Sequence, residues 1–206
     1  MMEYEDILIQ LVDLPPITEG EFVPGLAGAI RNADALLITI DASSDDCLDQ
    51  LDGTCSQLRE KKILRDDSME GLHHHTRDSC LIVATKMDIE GAKDNFELIT
   101  EYVPSGFRLV GVSVTMGETL EHLRRSIFDL LGVMRIYSKK PGHDPDMSQP
   151  FVLKMGSAVI DMAEAVHRDF PSRLKSARVW GSARFPGQAV PRDYVLEDKD
   201  IVELRV

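Results

Sequence analysis

The stretch Leu81-Ile-Val-Ala-Thr-Lys-Met-Asp88 decides the fold of this 206-residue chain. Its first four residues are apolar with no polar alternation, the pattern of a strand covered on both faces of a parallel sheet. The strand runs directly into a polar turn, Thr85-Lys86-Met87-Asp88. Working outward, Ala35-Leu-Leu-Ile-Thr-Ile-Asp41 reads as a second buried strand and Phe107-Arg-Leu-Val-Gly-Val-Ser113 as another. Between them, Ala42-Ser-Ser-Asp-Asp46 caps a helix through about Glu60, and Gly91–Tyr102 reads as a further helix. Thr115-Met-Gly-Glu118 matches a capping box. Leu120, Leu123, Ile127, Leu130 and Leu131 then recur at helical spacing up to the stop at Gly132. Strand and helix in alternation predict an α/β fold with a doubly wound sheet, its site built from loops at the carboxyl ends of strands.

The same logic extends to both ends. Ile7-Leu-Ile-Gln-Leu-Val-Asp13 reads as one more covered strand, broken by Leu14-Pro-Pro-Ile17. Glu19–Gly28 is expected as a switch-like loop leading into a short helix over Leu26–Arg31. From residue 133 the pattern changes to a hairpin, a helix and further strands. Val133-Met-Arg-Ile-Tyr-Ser-Lys-Lys140 is strand-like, Gly142–Gln149 is turn-rich, and Phe151-Val-Leu153 is a short strand. A helix from about Ser157 buries Val159, Met162, Ala163, Val166 and Phe170. Ala177-Arg-Val-Trp180, a Gly/Pro-rich loop and Asp200-Ile-Val-Glu-Leu204 follow. The expected division is residues 1–132 and 133–206, the second a small β-grasp fold.

Charge divides the same way. Up to Gly132 there are 11 Lys+Arg against 25 Asp+Glu, and beyond it 12 against 10. An acidic front excludes general nucleic-acid binding there, and a polyanionic partner is to be sought on the mildly basic tail. No apolar run approaches the roughly 20 residues of a membrane span, and the acidic start is not a signal peptide. The three cysteines form no C-x-x-C pair and are expected as reduced thiols, so a cytoplasmic protein with no membrane and no DNA partner is expected. His73-His74-His75 cannot all face one ion from a regular element, so a solvated loop is expected there.

The polar turn carries specific chemistry. A carboxylate at Asp88 can accept two hydrogen bonds from a guanine ring N–H and exocyclic amine, which adenine does not present. Thr85-Lys86-Met87-Asp88 resembles the N/T-K-x-D motif of the GTPases. Asp13-Leu-Pro-Pro and Ser113-Val-Thr then stand, in order, where that family carries D-x-x-G and the S-A loop. Ile9-Gln-Leu-Val-Asp-Leu-Pro and Ala29-Ile-Arg-Asn-Ala-Asp-Ala35 look like the Obg/DRG group of translation-associated GTPases. Arg135-Ile-Tyr-Ser-Lys-Lys, Ala177-Arg-Val-Trp-Gly181 and Val195-Leu-Glu-Asp-Lys-Asp-Ile-Val202 are similar to its C-terminal TGS domain.

The resemblance implies a GTP/GDP site with Mg²⁺. Thr85, Lys86, Asp88, Ser113 and Val114 would select guanine, and Asp13 would act on Mg²⁺ through water. Pro16 stands where the family's glycine senses the γ-phosphate, and proline has no N–H to donate. No G-x-x-x-x-G-K-[ST] stretch occurs, so there is no phosphate cradle within this sequence. The expectation is therefore a partial P-loop GTPase sheet, truncated or degenerate, with weak nucleotide binding and no useful hydrolysis on its own. The alternative is a non-catalytic TGS adaptor for RNA, the ribosome or a regulatory protein. Its candidate contacts are Arg135, Lys139, Lys140, Lys154, Arg168, Arg173, Lys175, Arg178 and Arg184. A third reading is a gene remnant with a stable TGS fold and no activity.

Overall fold

The structure, a computed structural model, describes residues 1–17, 23–66 and 74–206. They form two compact units: Leu11–Leu131, and Met1–Gln10 together with Gly132–Val206.

The chain begins with a small hairpin that the sequence does not announce. Strand β1 (Met2–Tyr4) pairs antiparallel with β2 (Ile7–Ile9), leaving Glu5 and Asp6 as a two-residue turn. Glu5 takes the left-handed conformation at φ 48°, as tight hairpin turns require. The covered strand expected over Ile7–Asp13 is thus only three residues long and lies outside the parallel sheet. Of its apolar residues Ile7 and Ile9 are buried, within the unit that contains the C-terminal residues, whereas Leu8, Leu11 and Val12 are exposed. Residues 11–17 have no regular structure, and the loop expected over Glu19–Gly28 lies partly outside the described residues.

The larger unit follows the predicted alternation. Helix α1 (Leu26–Arg31) precedes β3 (Leu36–Asp41), α2 (Cys47–Glu60), β4 (Cys80–Thr85), α3 (Ala92–Tyr102), β5 (Arg108–Gly111) and α4 (Gly117–Leu131). The strands make one parallel sheet in the order β3-β4-β5, with Leu36 opposite Cys80 and Leu81 opposite Arg108. Parallel neighbours need crossovers, and α2 and α3 supply them. β4 is central, and all its residues up to Ala84 are buried, as its unbroken apolar run requires. Ile30, Ile38, Ile40, Leu51, Ile82 and Ile99 are among the residues that fill the core. Gly132 ends α4 at φ 59°, the left-handed stop read from the sequence.

A loop beside this core is pinned by a buried histidine. His75 is 4 % exposed, and its Nε2 lies 2.8 Å from the Ile30 carbonyl, which makes that nitrogen the donor. His73 lies outside the described residues, and His75, expected in a solvated loop, is instead turned inward.

The second unit is a five-stranded sheet in the order β7-β6-β10-β8-β9. It comprises β6 (Val133–Lys139), β7 (Pro145–Lys154), helices α5 (Val159–Val166) and α6 (Phe170–Arg173), then β8 (Ser176–Trp180), β9 (Gln188–Val190) and β10 (Ile201–Arg205). β6 and β10 pair parallel, and the other neighbours are antiparallel. Met134, Ile136, Val159, Met162, Val179 and Val202 are the centre of its core. Two expected loops contain strand: β7 starts at Pro145, and β9 lies within the Gly/Pro-rich segment. Proline is compatible with the first residue of a strand, so Pro145 does not prevent pairing.

Gly181 shows how tightly the end of β8 is built. At φ 123°, a Cβ there would lie 2.3 Å from Asp200 Oδ1. Asp200 is 1 % exposed, and its carboxylate accepts Ser182 N–H at 2.6 Å, Ser182 Oγ–H at 2.6 Å and Glu197 N–H at 3.0 Å.

Two outcomes follow from this packing. Gly181→Ala destabilises the C-terminal unit by about 2 kcal/mol or more in denaturant unfolding, because both the backbone and Asp200 must shift. A change within about 0.5 kcal/mol would contradict that packing. Burial holds the His75 imidazole below its ordinary 6.5, against the Ile30 carbonyl bond that favours the charged ring. The unfolded chain then binds more protons, so stability falls as pH drops below 6.5 towards the folded value. Thermal melts between about pH 7 and 5.5 should show this slope in the wild type and a weaker one in His75→Gln. Equal slopes would contradict the buried neutral ring.

Candidate functional site

The site is built where β3, β4 and β5 end side by side. Parallel register places Asp41 opposite Thr85 and Ala84 opposite Gly111, so three loops leave the sheet together. Backbone bonds continue the sheet beyond the last paired residues. Val112 N–H donates to Ala84 O at 2.7 Å, Met87 N–H to Val112 O at 3.1 Å, and Ala42 N–H to Thr85 O at 3.1 Å.

Three side chains of Thr85-Lys86-Met87-Asp88 have distinct tasks. Thr85 Oγ1 donates to the Ile40 carbonyl at 2.9 Å, locking the end of β4 to β3. Lys86 sits at φ 61°, a left-handed conformation uncommon for a side chain of this kind. Its ammonium lies 2.5 Å from Asp41 Oδ2 and ties the β4 loop to the β3 loop. Asp41 is held below the usual carboxylate range by the Lys86 ammonium first and then by the Ser43 hydroxyl. Ser43 donates both its N–H, at 3.0 Å, and its Oγ–H, at 2.6 Å, to Asp41 Oδ1.

Asp88 joins the third loop. Its Oδ1 accepts the Ser113 hydroxyl at 2.5 Å, and that bond holds the carboxyl below its ordinary range. Ser113 is 1 % exposed although Asp88 is at the surface, so a buried hydroxyl aims an exposed carboxylate. Ser113 is itself positioned by Thr119, whose Oγ1 accepts the Ser113 N–H at 3.0 Å. Thr115, expected to cap α4, instead lies 2.8 Å from Ser113 Oγ through its own hydroxyl, and α4 starts at Gly117. Val114 is 87 % exposed, which leaves the loop backbone at the surface.

The five residues expected to read a base therefore meet at the adjoining ends of β4 and β5, which Lys86 ties to β3 through Asp41. Sequence reasoning missed the residues that hold them. Asp41 and Ser43 read only as a strand end and a cap, and Thr119 as an ordinary helical residue. Asn95 was not singled out, yet its Nδ2 donates to Ala42 O at 2.8 Å and Ser44 O at 3.2 Å, fixing the β3 loop from α3. Nothing local marks such an Asn, because its acceptors lie more than 50 positions away.

Asp13 is exposed on the segment after the hairpin. Among the described residues, no group of three or more His, Cys, Asp or Glu side chains comes together around an ion position.

The basic candidates of the C-terminal unit are spread over several elements. Arg135 is not available to a partner. Its side chain is 3 % exposed and bound by Asp198, Glu5 and Asp6, so it is an internal cation, contrary to its expected place on the surface. Lys139 leans over the Trp180 ring at 5.5 Å. Lys140, Lys154, Arg168, Arg173, Lys175, Arg178 and Arg184 are exposed. Arg168 lies 3.7 Å from Asp169, and Arg184 stacks over Phe185 at 5.3 Å.

Comparison with known proteins gives these loops a lineage. Residues 134–206 match the TGS domain. Over 263 positions the chain is 27 % identical to an uncharacterized GTP-binding protein of Methanocaldococcus jannaschii, covering 99 % of this chain and 67 % of that protein. It is 32 % identical over 139 residues to a developmentally-regulated GTP-binding protein 2 homolog of Dictyostelium discoideum, covering 67 % and 36 %. It is 30 % identical over 179 residues to developmentally-regulated G-protein 2 of Arabidopsis thaliana, covering 85 % and 38 %. The chain thus spans between about a third and two thirds of the length of these relatives. A solved GTP-binding protein from Pyrococcus horikoshii OT3 shares the fold at TM-score 0.50 and 20 % identity, over 76 % of this chain and 50 % of that one. The chain is a homologue of the DRG-type GTP-binding proteins, and its residues 134–206 are a TGS domain.

Proposed function

We propose that this chain supplies the base-recognition half of a guanine-nucleotide site linked to translation. Asp88 reads the ring N–H and exocyclic amine, the Ser113–Val114 backbone faces the base carbonyl, and the Lys86 stem lies along the ring. The observation that carries this reading is the bond between Asp88 and the buried Ser113, together with the Lys86–Asp41 pair. A recognition carboxylate gains specificity when it is fixed before the ligand arrives, because less ordering then opposes binding. The relatives' printed descriptions as GTP-binding proteins support the same reading.

Phosphate contacts have no cradle within these residues, so binding by this chain alone is weak and hydrolysis is not expected from it. Asp13 would face a Mg²⁺ ion only once phosphates were held from elsewhere. Ligand-observed NMR with GDP, ADP and xanthosine diphosphate tests the base reading. The wild type prefers GDP over ADP, and Asp88→Asn turns the preference to xanthosine diphosphate, because an amide presents a donor where the carboxylate presented an acceptor. Equal response to GDP and ADP would defeat the base reading. A micromolar, Mg²⁺-dependent affinity for GDP would defeat the claim of weak binding.

A second reading, an RNA- or ribosome-binding role of the TGS domain, is favoured by the exposed Lys140, Lys154, Arg173, Lys175, Arg178 and Arg184. Binding of this kind releases counterions, so affinity for a single-stranded RNA probe should fall several-fold between about 50 and 200 mM salt. Flat salt dependence would count against it.

A further inference from the structure

The hairpin at the start of the chain is held by the far end of it. Its turn residues Glu5 and Asp6 point their carboxylates at one guanidinium, that of Arg135 on β6. Arg135 is already clamped from the other side by Asp198. Nε and Nη2 donate to the two carboxylate oxygens at 3.0 and 2.6 Å, and the Arg135 N–H donates at 2.7 Å. Tyr137, two residues along the same strand face, donates its hydroxyl to Asp6, and Lys199 lies 3.0 Å from Glu5. The Glu5 carboxyl is held below its ordinary range by Lys199 first and by Arg135 next.

The position of this hairpin in the chain gives the contact a consequence. Residues 1–10 belong to the unit containing the TGS domain, whereas residues 11–131 form the other unit. The chain therefore crosses between units twice, at Gln10–Leu11 and at Leu131–Gly132. Were the hairpin released, only the second crossing would remain. Asp13 follows Ile9, the last residue of the hairpin, by four positions, with Pro15 and Pro16 stiffening the stretch beyond it. A hairpin of three-residue strands is marginal by itself, so its order depends on what it docks against.

We propose that Glu5 and Asp6, received by Arg135, Tyr137 and Lys199, form a releasable clasp by which the TGS domain restrains the segment bearing Asp13. The division of labour in the cluster suits release. The Asp198–Arg135 fork keeps the guanidinium paired inside the domain when the hairpin leaves, so opening strands no buried cation. The Glu5 and Lys199 side chains are about half exposed and give the clasp a salt-sensitive edge. The clasp rests on geometry within one unit. Its consequence for a nucleotide rests on the reading of Asp13 given above.

Hydrogen exchange of the full chain, with no nucleotide present, tests the clasp apart from that reading. The variant is Glu5→Gln with Asp6→Asn, which leaves the Asp198–Arg135 fork intact and spares the TGS fold. Amide exchange over Glu3–Ile9 should quicken by about tenfold or more, with β6 and β10 unchanged, and the backbone order parameters of Leu11–Leu14 should fall. Raising salt from about 0.05 to 0.5 M should quicken the same amides in the wild type and not in the variant. Unchanged exchange would overturn the proposal by showing that burial of Ile7 and Ile9 alone holds the hairpin. Order parameters of Leu11–Leu14 left unchanged by the variant would overturn the link to Asp13. A concentration-dependent doubling of mass in the wild type that the variant loses would overturn the clasp within one chain, because a second copy would then supply the hairpin.

Discussion

A buried hydroxyl and an exposed carboxylate set the character of this molecule. Ser113 at the end of β5 donates to Asp88 beyond the end of β4, and the register of the parallel sheet is what brings them within 2.5 Å. The bond depends on Ala84 and Val112 joining the two strands, and on Thr119 holding the Ser113 backbone. Lys86 performs the matching task toward β3 through Asp41. The two links together convert three loops into one surface. They also explain why the site sits at the carboxyl edge: only there do adjacent parallel strands release their loops side by side.

Much of this is legible in the sequence. The apolar run Leu81–Ala84 has one stable home, the middle of a covered sheet, and β4 occupies it. Helical spacing in α4 and α5 placed Ile127, Met162 and Ala163 correctly in their cores. The β4 and β5 loops of the site follow from order along the chain, whereas Asp13, expected at the end of a third covered strand, lies on a segment without regular structure. What was not legible depends on distant partners. Arg135 alternates with Met134 and Ile136 and so reads as a solvent-facing residue of a strand. Its burial comes from Asp198, 63 positions away, and Glu5, 130 positions away.

The hairpin Met2–Ile9 was missed for a related reason. Ile7 to Val12 has the composition of a buried strand, and Glu5-Asp6 is not the Asn-Gly or Asp-Gly pair that marks a two-residue turn. The turn is tolerated because its carboxylates are received by cations of the TGS domain. Local propensity is overridden there by a tertiary charge cluster. The same cluster removes Arg135 from the surface basic residues and assigns it to internal structure.

The central claim is that the strand-end loops are a preformed guanine-reading surface. A backbone-amide NMR titration of the intact chain with guanosine diphosphate and with adenosine diphosphate tests it most directly. The account predicts guanosine-specific shifts at Asp88, Ser113 and Val114, with Asp41 and Lys86 following and the TGS domain unmoved. Shifts of equal size with both nucleotides, or guanosine-specific shifts placed away from these loops, would contradict it.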